Sequence, residues 1–140
     1  MFDYLFLYQD WAPTALRLAL GVPFVLHGYP KLFKNFAGAA AWFDSAGIRP
    51  GWFWVLVVGV VEFFGGIALV AGAFTRLAAA LIAIDMLVAM AKVKWGKVRM
   101  VEMEKTGWEL DLAYFAMAAA LVLLGPGAYA LESVIRGLGV

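Results

Sequence analysis

Glu62 stands near the middle of GVVEFFGGIALVAG, the stretch from Gly59 to Gly72, which is apolar enough to cross a bilayer. An ionisable side chain at that depth costs at least ~2.5 kcal/mol on insertion scales, so it faces a partner, a polar cavity or a proton path. Arg17 and Asp85 interrupt two other apolar stretches in the same way. At about 1.5 Å of rise per residue, Arg17 falls ~9 Å, Asp85 ~13 Å and Glu62 ~16 Å below the outer ends of their segments, within side-chain reach of one another. They are therefore expected to form one buried cluster of Arg17, Glu62 and Asp85, contributed by three helices. Two carboxylates beside one guanidinium do not both ionise cheaply in a low dielectric, so the cluster would offer a proton donor or acceptor inside the membrane. The alternative role is structural, an ion pair that fixes helix register.

A second constellation closes the first apolar segment, Leu26-His27-Gly28-Tyr29-Pro30-Lys31, with Lys92, Glu109 and Asp111 at the corresponding level of later segments. Gly28 lets the backbone leave a helix and Pro30 disfavours helical geometry at Tyr29, so His27 and Lys31 are expected to project from a turn. His27 is the single histidine and there is no cysteine, which leaves a metal site without a ligand set. It is expected instead to cap a carbonyl or to pair with Asp111. Pro23 cannot donate to the carbonyl of Ala19, and the resulting kink would open a pocket between Arg17 and His27. Phe63, Phe64 and Tyr114 are candidates for the aromatic walls of such a pocket.

Positioning these groups requires long apolar helices. The chain has 140 residues, 65% of them hydrophobic and 16% aromatic, too little polar sequence to cover a soluble domain of that size. Four segments approach the ~20 residues needed to cross a hydrocarbon core, at about 11–27, 52–74, 76–94 and 108–125. All six tryptophans, Trp11, Trp42, Trp52, Trp54, Trp95 and Trp108, fall at or beyond segment ends, as interfacial aromatic belts require. The composition predicts an all-α integral membrane four-helix bundle, a single transmembrane domain over residues 1–140. Between the first two segments, Phe33, Phe36, Ala37, Ala40 and Phe43 recur at helical spacing opposite Lys34 and Asp44, which predicts a short amphipathic helix on the membrane surface. Thr75 is a plausible N-cap for the third segment. In the third connection, Lys97 to Glu104 alternates polar and apolar, so an extended hairpin or a surface-lying segment is expected.

Lysine and arginine placement sets an orientation. The first and third connections hold Lys31, Lys34, Arg49, Lys92, Lys94, Lys97, Arg99 and Lys105, whereas the termini and the second connection hold Arg76 and Arg136. The positive-inside rule then puts those two connections in the cytoplasm and both termini outside a cell inner (plasma) membrane. The first residues, with Asp3 and Asp10 and no basic residue before Arg17, lack the basic start of a signal peptide and are expected to be retained. Membrane lipids are the expected surroundings, and no nucleic acid is expected as a partner. Absence of cysteine excludes thiol redox chemistry and iron–sulfur clusters, so a redox role would use a bound cofactor.

Several motifs in order along the chain are shared with one family. These are the Arg in segment one, H-G-x-x-K (His27, Gly28, Lys31), E-x-x-G-G (Glu62, Gly65, Gly66) followed by Gly72 and Arg76, and a late G-P-G (Gly125, Pro126, Gly127). Together they resemble the DoxX family of small four-helix membrane proteins over nearly the whole chain. Where that pattern often has Ser-Leu-Asp near the end, Ala130-Leu131-Glu132 stands here. The resemblance implies a bacterial or archaeal inner-membrane protein whose relatives serve as the membrane subunit of a thiosulfate:quinone oxidoreductase or as an anchor for soluble redox enzymes. The expected function is a quinone-interacting subunit of an oxidoreductase, with quinone bound non-covalently and electrons delivered by a soluble redox protein on the cytoplasmic face. In that reading His27 and Lys31 hold the ligand, with Asp111 near them, between walls of Phe63, Phe64 and Tyr114, while Glu62 or Asp85 moves the proton. The alternatives are a non-catalytic anchor or assembly factor that docks enzymes on Lys31 to Arg49 and Lys92 to Lys105, and a small proton or solute carrier built as a homo-oligomer.

Overall fold

The computed structural model describes residues 4–101 and 107–137. A 3-10 turn over Leu5–Trp11 leads into α1 (Ala12–Tyr29), followed by α2 (Phe36–Ser45), α3 (Gly51–Ala71), α4 (Thr75–Val88), α5 (Glu109–Leu124) and α6 (Leu131–Gly137). Among the described residues there is no strand, and the chain is all-helical. The third connection accordingly forms no extended hairpin within those residues, because helical winding continues through Ala89–Lys94 and gives way to turns. Glu104 and Lys105 of that connection, and Asp3, lie outside the described residues.

Local sequence explains most of the boundaries. Pro13 occupies the first turn of α1, where its missing N–H has no intrahelical partner to lose. α1 continues through Pro23 and past Gly28, and Tyr29 keeps right-handed helical angles (φ −54°, ψ −53°). The expected exit at Gly28 does not occur. A π-helical turn over Pro30–Lys34 follows instead, closed by the Asn35 N–H donating to the Pro30 carbonyl at 2.8 Å. α3 ends at Gly72, whose left-handed φ of 73° a side chain would oppose.

The expected surface helix is α2, and it does more than cover. Asp44 accepts a hydrogen bond from the Gly51 N–H at 2.8 Å, so the last turn of α2 caps the first turn of α3. Thr75 is not an N-cap. Phe74 takes that position with φ 50°, leaving Thr75 one residue too far along, and its N–H donates to Glu132 Oε1 at 2.7 Å.

α1 packs chiefly on α3, α3 on α4 and α4 on α5, while α5 returns to α1 and α2 lies on α3. Leu20, Phe24, Leu69, Ile82, Met86 and Leu121 form the centre. The α1–α3 backbones approach closely: a Cβ at Gly66 would fall 2.7 Å from the Gly21 carbonyl oxygen. Outside, Leu18, Val22 and Leu26 on α1, Val60, Phe64 and Ile67 on α3, and Leu77, Leu81 and Ile84 on α4 are exposed, while Arg17, Glu62, Thr75 and Asp111 are buried. Broad exposed apolar stripes, with charged groups buried in an otherwise apolar interior, depart from the usual soluble arrangement. Among the described residues one helix, Gly51–Ala71, is by itself long and apolar enough to cross a membrane.

Candidate functional site

A cavity of about 620 Å³ lies between the helices toward the end where α2 sits. α1 contributes Pro23, Phe24 and His27 to its lining, α3 contributes Trp54, Val58 and Glu62, and Trp42 and Phe43 of α2 cover it. α4 supplies Asp85 and Met86, the π-helical turn after it Ala89, and α5 supplies Asp111 and Tyr114. Its walls are mostly apolar, with the Phe24 ring meeting Tyr114 edge-on at 5.3 Å.

Two ion pairs face this space. Lys31, one turn after His27 on the same face, donates to both carboxylate oxygens of Glu62. Glu62 is 4% exposed, so the pairing offsets a desolvation that would otherwise be prohibitive. Lys94, at the end of the second π-helical turn, pairs with Asp111 Oδ2 at 2.8 Å and donates to the Gly107 carbonyl at 3.1 Å. Asp85 lines the cavity between them, and its Oδ2 is buried without a hydrogen-bond partner. Asp85 also lies near enough to Glu62, Lys31 and Asp111 to feel all three charges.

The predicted site residues separate into those gathered here and those placed elsewhere. His27, Lys31, Glu62, Asp85, Asp111 and Tyr114 share the cavity. Arg17 does not belong to the cluster with Glu62. Its guanidinium donates to the Tyr129 carbonyl at 2.9 Å, to Thr14 Oγ1 at 3.1 Å and to the Leu69 carbonyl at 3.4 Å. Equal depth along the axis did not bring the two together, because Arg17 faces the end of α3 and the segment before α6. His27 does not pair with Asp111, whose carboxylate is taken by Lys94. Phe63 and Phe64 are not walls of the cavity; Phe63 meets Tyr29, Phe33 and Phe64 in tilted or edge-on contacts away from it.

Lys94, Trp42 and Trp54 are cavity residues that sequence reasoning did not single out. A signal for Lys94 existed. Asp85, Ala89 and Val93 recur every four residues on the lining face and lead to its neighbour Lys94, whereas Lys92 and Glu109, at the same level, are exposed.

A family model described as DoxX matches residues 12–95, from the start of α1 through the second π-helical turn. The chain belongs to the DoxX family. It is also 32% identical over 127 residues to an uncharacterized protein from Haemophilus influenzae, covering 90% of this chain and 92% of that one. No solved structure gives a significant match. This DoxX family membrane protein carries His27, Lys31, Glu62 and Asp85 within the matched region, while Asp111 and Tyr114 lie beyond it.

Proposed function

We propose that this DoxX protein is a multi-pass inner-membrane subunit of an oxidoreductase whose cavity binds the head group of a quinone. The observation that carries the reading is the cavity itself: about 620 Å³, mostly apolar and aromatic, with the Lys31–Glu62 pair in its wall. That size lies within the range of small-molecule sites, and a few convergent polar groups in an apolar space are what fix a flat, weakly polar ligand. α1, α3, α4 with its π-helical extension, and α5 serve as four membrane spans within one domain. Their exposed leucines, valines and isoleucines face lipid, and the glycine contact of α1 with α3 is the close packing such helices favour. The basic connections place the cavity end toward the cytoplasm and both termini outside.

A quinone supplies a two-electron, two-proton acceptor. Lys31 is placed to donate to a ligand oxygen while Glu62 holds the ammonium, and Glu62 can give up or receive a proton at Oε1 or Oε2 as the pair adjusts. Tyr114 and Phe24 provide ring faces and edges, and Trp42 of α2 screens the space from water. Electrons come from a soluble partner, for which the exposed Lys92, Lys97, Arg99 and Trp95 beside the cavity end offer a basic, aromatic landing. Purified protein in lipid nanodiscs is expected to bind a short-chain ubiquinone or menaquinone analogue, with Lys31→Met and Glu62→Gln each weakening binding by about tenfold, the loss of one charge-assisted hydrogen bond. Absent binding, or equal affinity in all three proteins, overturns the reading.

A further inference from the structure

A side chain that both lines the cavity and reaches the molecular surface marks a mouth. Trp42, Trp54 and Val88 do so where α3 meets α4; they line the cavity and are 51%, 41% and 44% exposed. The bundle is tightest within the pairs α1–α3 and α4–α5 and looser where one pair meets the other. α3 and α4 touch at Gly65 and Ile82, where a Cβ on the glycine would stand 3.6 Å from Ile82 Cδ1, an ordinary contact. One turn toward the cavity end, Glu62 and Asp85 line the open space, followed by Val58 and Trp54 on one helix and Val88 on the other. The rim is two indoles and a valine, with no charge on it. Tryptophan belongs at a membrane interface, and exposed Ile84 and Leu81, one and two turns before Val88 on α4, continue the apolar surface away from the rim. The seam between α1 and α5 differs. Phe24 and Tyr114 meet edge-on across it at 5.3 Å, and the exposed lining residues beyond them are Leu110 and the ionisable His27.

We propose that the cavity opens sideways into the bilayer between α3 and α4, through a mouth rimmed by Trp42, Trp54 and Val88, and that its ligand is a membrane-resident quinone whose isoprenoid chain leaves there. The proposal rests on the quinone-site reading above and names the ligand class within it. A space of about 620 Å³ holds a head group and the first part of a chain, whereas a full polyprenyl tail is larger and must lie outside. Lipid tails are as apolar as that chain, so a mouth onto the bilayer leaves the protruding part in surroundings like those it came from. A mouth onto water would expose both the chain and its apolar rim. Ligand then exchanges with the membrane pool without crossing an aqueous phase.

The test uses the full chain in nanodiscs and two quinones with the same ring. One bears a single prenyl unit; the other bears a long polyprenyl chain with a photoreactive diazirine partway along it. Irradiation of the wild-type protein with the long-chain quinone is expected to place adducts, mapped by mass spectrometry, on Trp54, Val88, Ile84 and Leu81. Short-chain quinone added at about ten times its Kd should lower those adducts about tenfold by simple occupancy. Val88→Trp, at an exposed position, is expected to crowd the mouth and weaken the long-chain quinone about tenfold while leaving the short-chain one unchanged. Competed adducts on Leu26, His27 or Leu110 instead would move the exit to the α1–α5 seam and overturn the proposal. Short-chain binding with no competed adduct from the long-chain quinone overturns it too, as does unchanged long-chain affinity in Val88→Trp. The adduct map needs no variant to fold, and in each of these outcomes short-chain binding leaves the head-group site standing. Failure of both quinones to bind removes the site and the mouth together.

Discussion

Arg17 and Glu62 both look, by type and depth, like groups that could move protons, and their surroundings divide the labour between them. Arg17 is buried among carbonyls of Leu69 and Tyr129, and Glu132 lies close enough for its charge to act on the guanidinium. Glu132 in turn accepts from the Thr75 N–H, and its own N–H donates to the Gly72 carbonyl at 3.1 Å. The terminal acidic residue, which replaces the aspartate common in the family, thus ties α6 to the α3–α4 turn. Arg17→Leu would strand buried carbonyls and is expected to destabilise the protein by about 2–3 kcal/mol, with affinity for a cavity ligand unchanged because Arg17 is not in the cavity wall. Glu132→Ala should lower stability by about 1–2 kcal/mol, and the double variant by less than the sum, since the two side chains serve one clamp. Thermal unfolding in detergent, read beside ligand binding, checks both statements. Loss of binding in Arg17→Leu at a temperature where the protein remains folded would return Arg17 to the functional site. The sequence showed that Arg17 needed a buried partner. It could not show which, because the partners are backbone carbonyls, and a carbonyl has no letter in the sequence.

At the scale of elements, the long helices were legible because lipid-length apolar runs, glycine stops and interfacial tryptophans agree with one another. The expected segments 52–74 and 108–125 appear as Gly51–Ala71 and Glu109–Leu124, and 76–94 as α4 with its π-helical extension. What escaped was azimuth. A π-helical turn adds about one residue per turn, which rotates everything after it by roughly 100° relative to an ideal helix. Lys31 stands at the start of the first turn, in helical register with Phe24 and His27, whereas Lys94 ends the second, where the lining face is carried by every fourth residue, Asp85, Ala89 and Val93, and an ideal count drifts away from it. α2 was legible as amphipathic, yet its Asp44 cap on α3 was not, since Asp44 reads as one more residue on a solvated face. Asp44→Ala is expected to cost about 1 kcal/mol, with Asp44→Asn close to wild type, as for other N-terminal caps. Denaturation in mixed micelles measures this. If the alanine variant matches wild type, α2 is held by Phe43 and its neighbours alone.

At the scale of the whole molecule, the exposed apolar girdle and the buried charges are two sides of one inversion, and they bear on topology. The chain has no cysteine, so single cysteines report cleanly on side. Ser45, at the end of α2, and Arg136, in α6, are both exposed. In intact cells a membrane-impermeant maleimide should label Arg136→Cys, and label Ser45→Cys only after permeabilisation. The opposite pattern would invert the orientation, and labelling of both from outside would rule out the odd number of crossings proposed between them, α3, α4 and α5. The motifs that carry the family likeness spread over both ends of the molecule: His27, Lys31 and Glu62 meet at the cavity, whereas Arg17, Gly72 and Gly125 belong to the far end. A shared motif therefore marks two different things here, a cavity wall and a clamp.

The two π-helical turns have one more consequence. Each follows the first helix of a packed pair, α1 before α3 or α4 before α5, and each contains a lysine paired with a carboxylate on the second helix. The cavity is thus flanked by like chemistry from two halves of the chain, close to a mirror of itself in function though not in sequence. Asp85 breaks that likeness, for the α1–α3 half places no unpaired carboxylate on the wall. The two halves of the wall therefore carry unequal negative charge, although each holds one lysine–carboxylate pair.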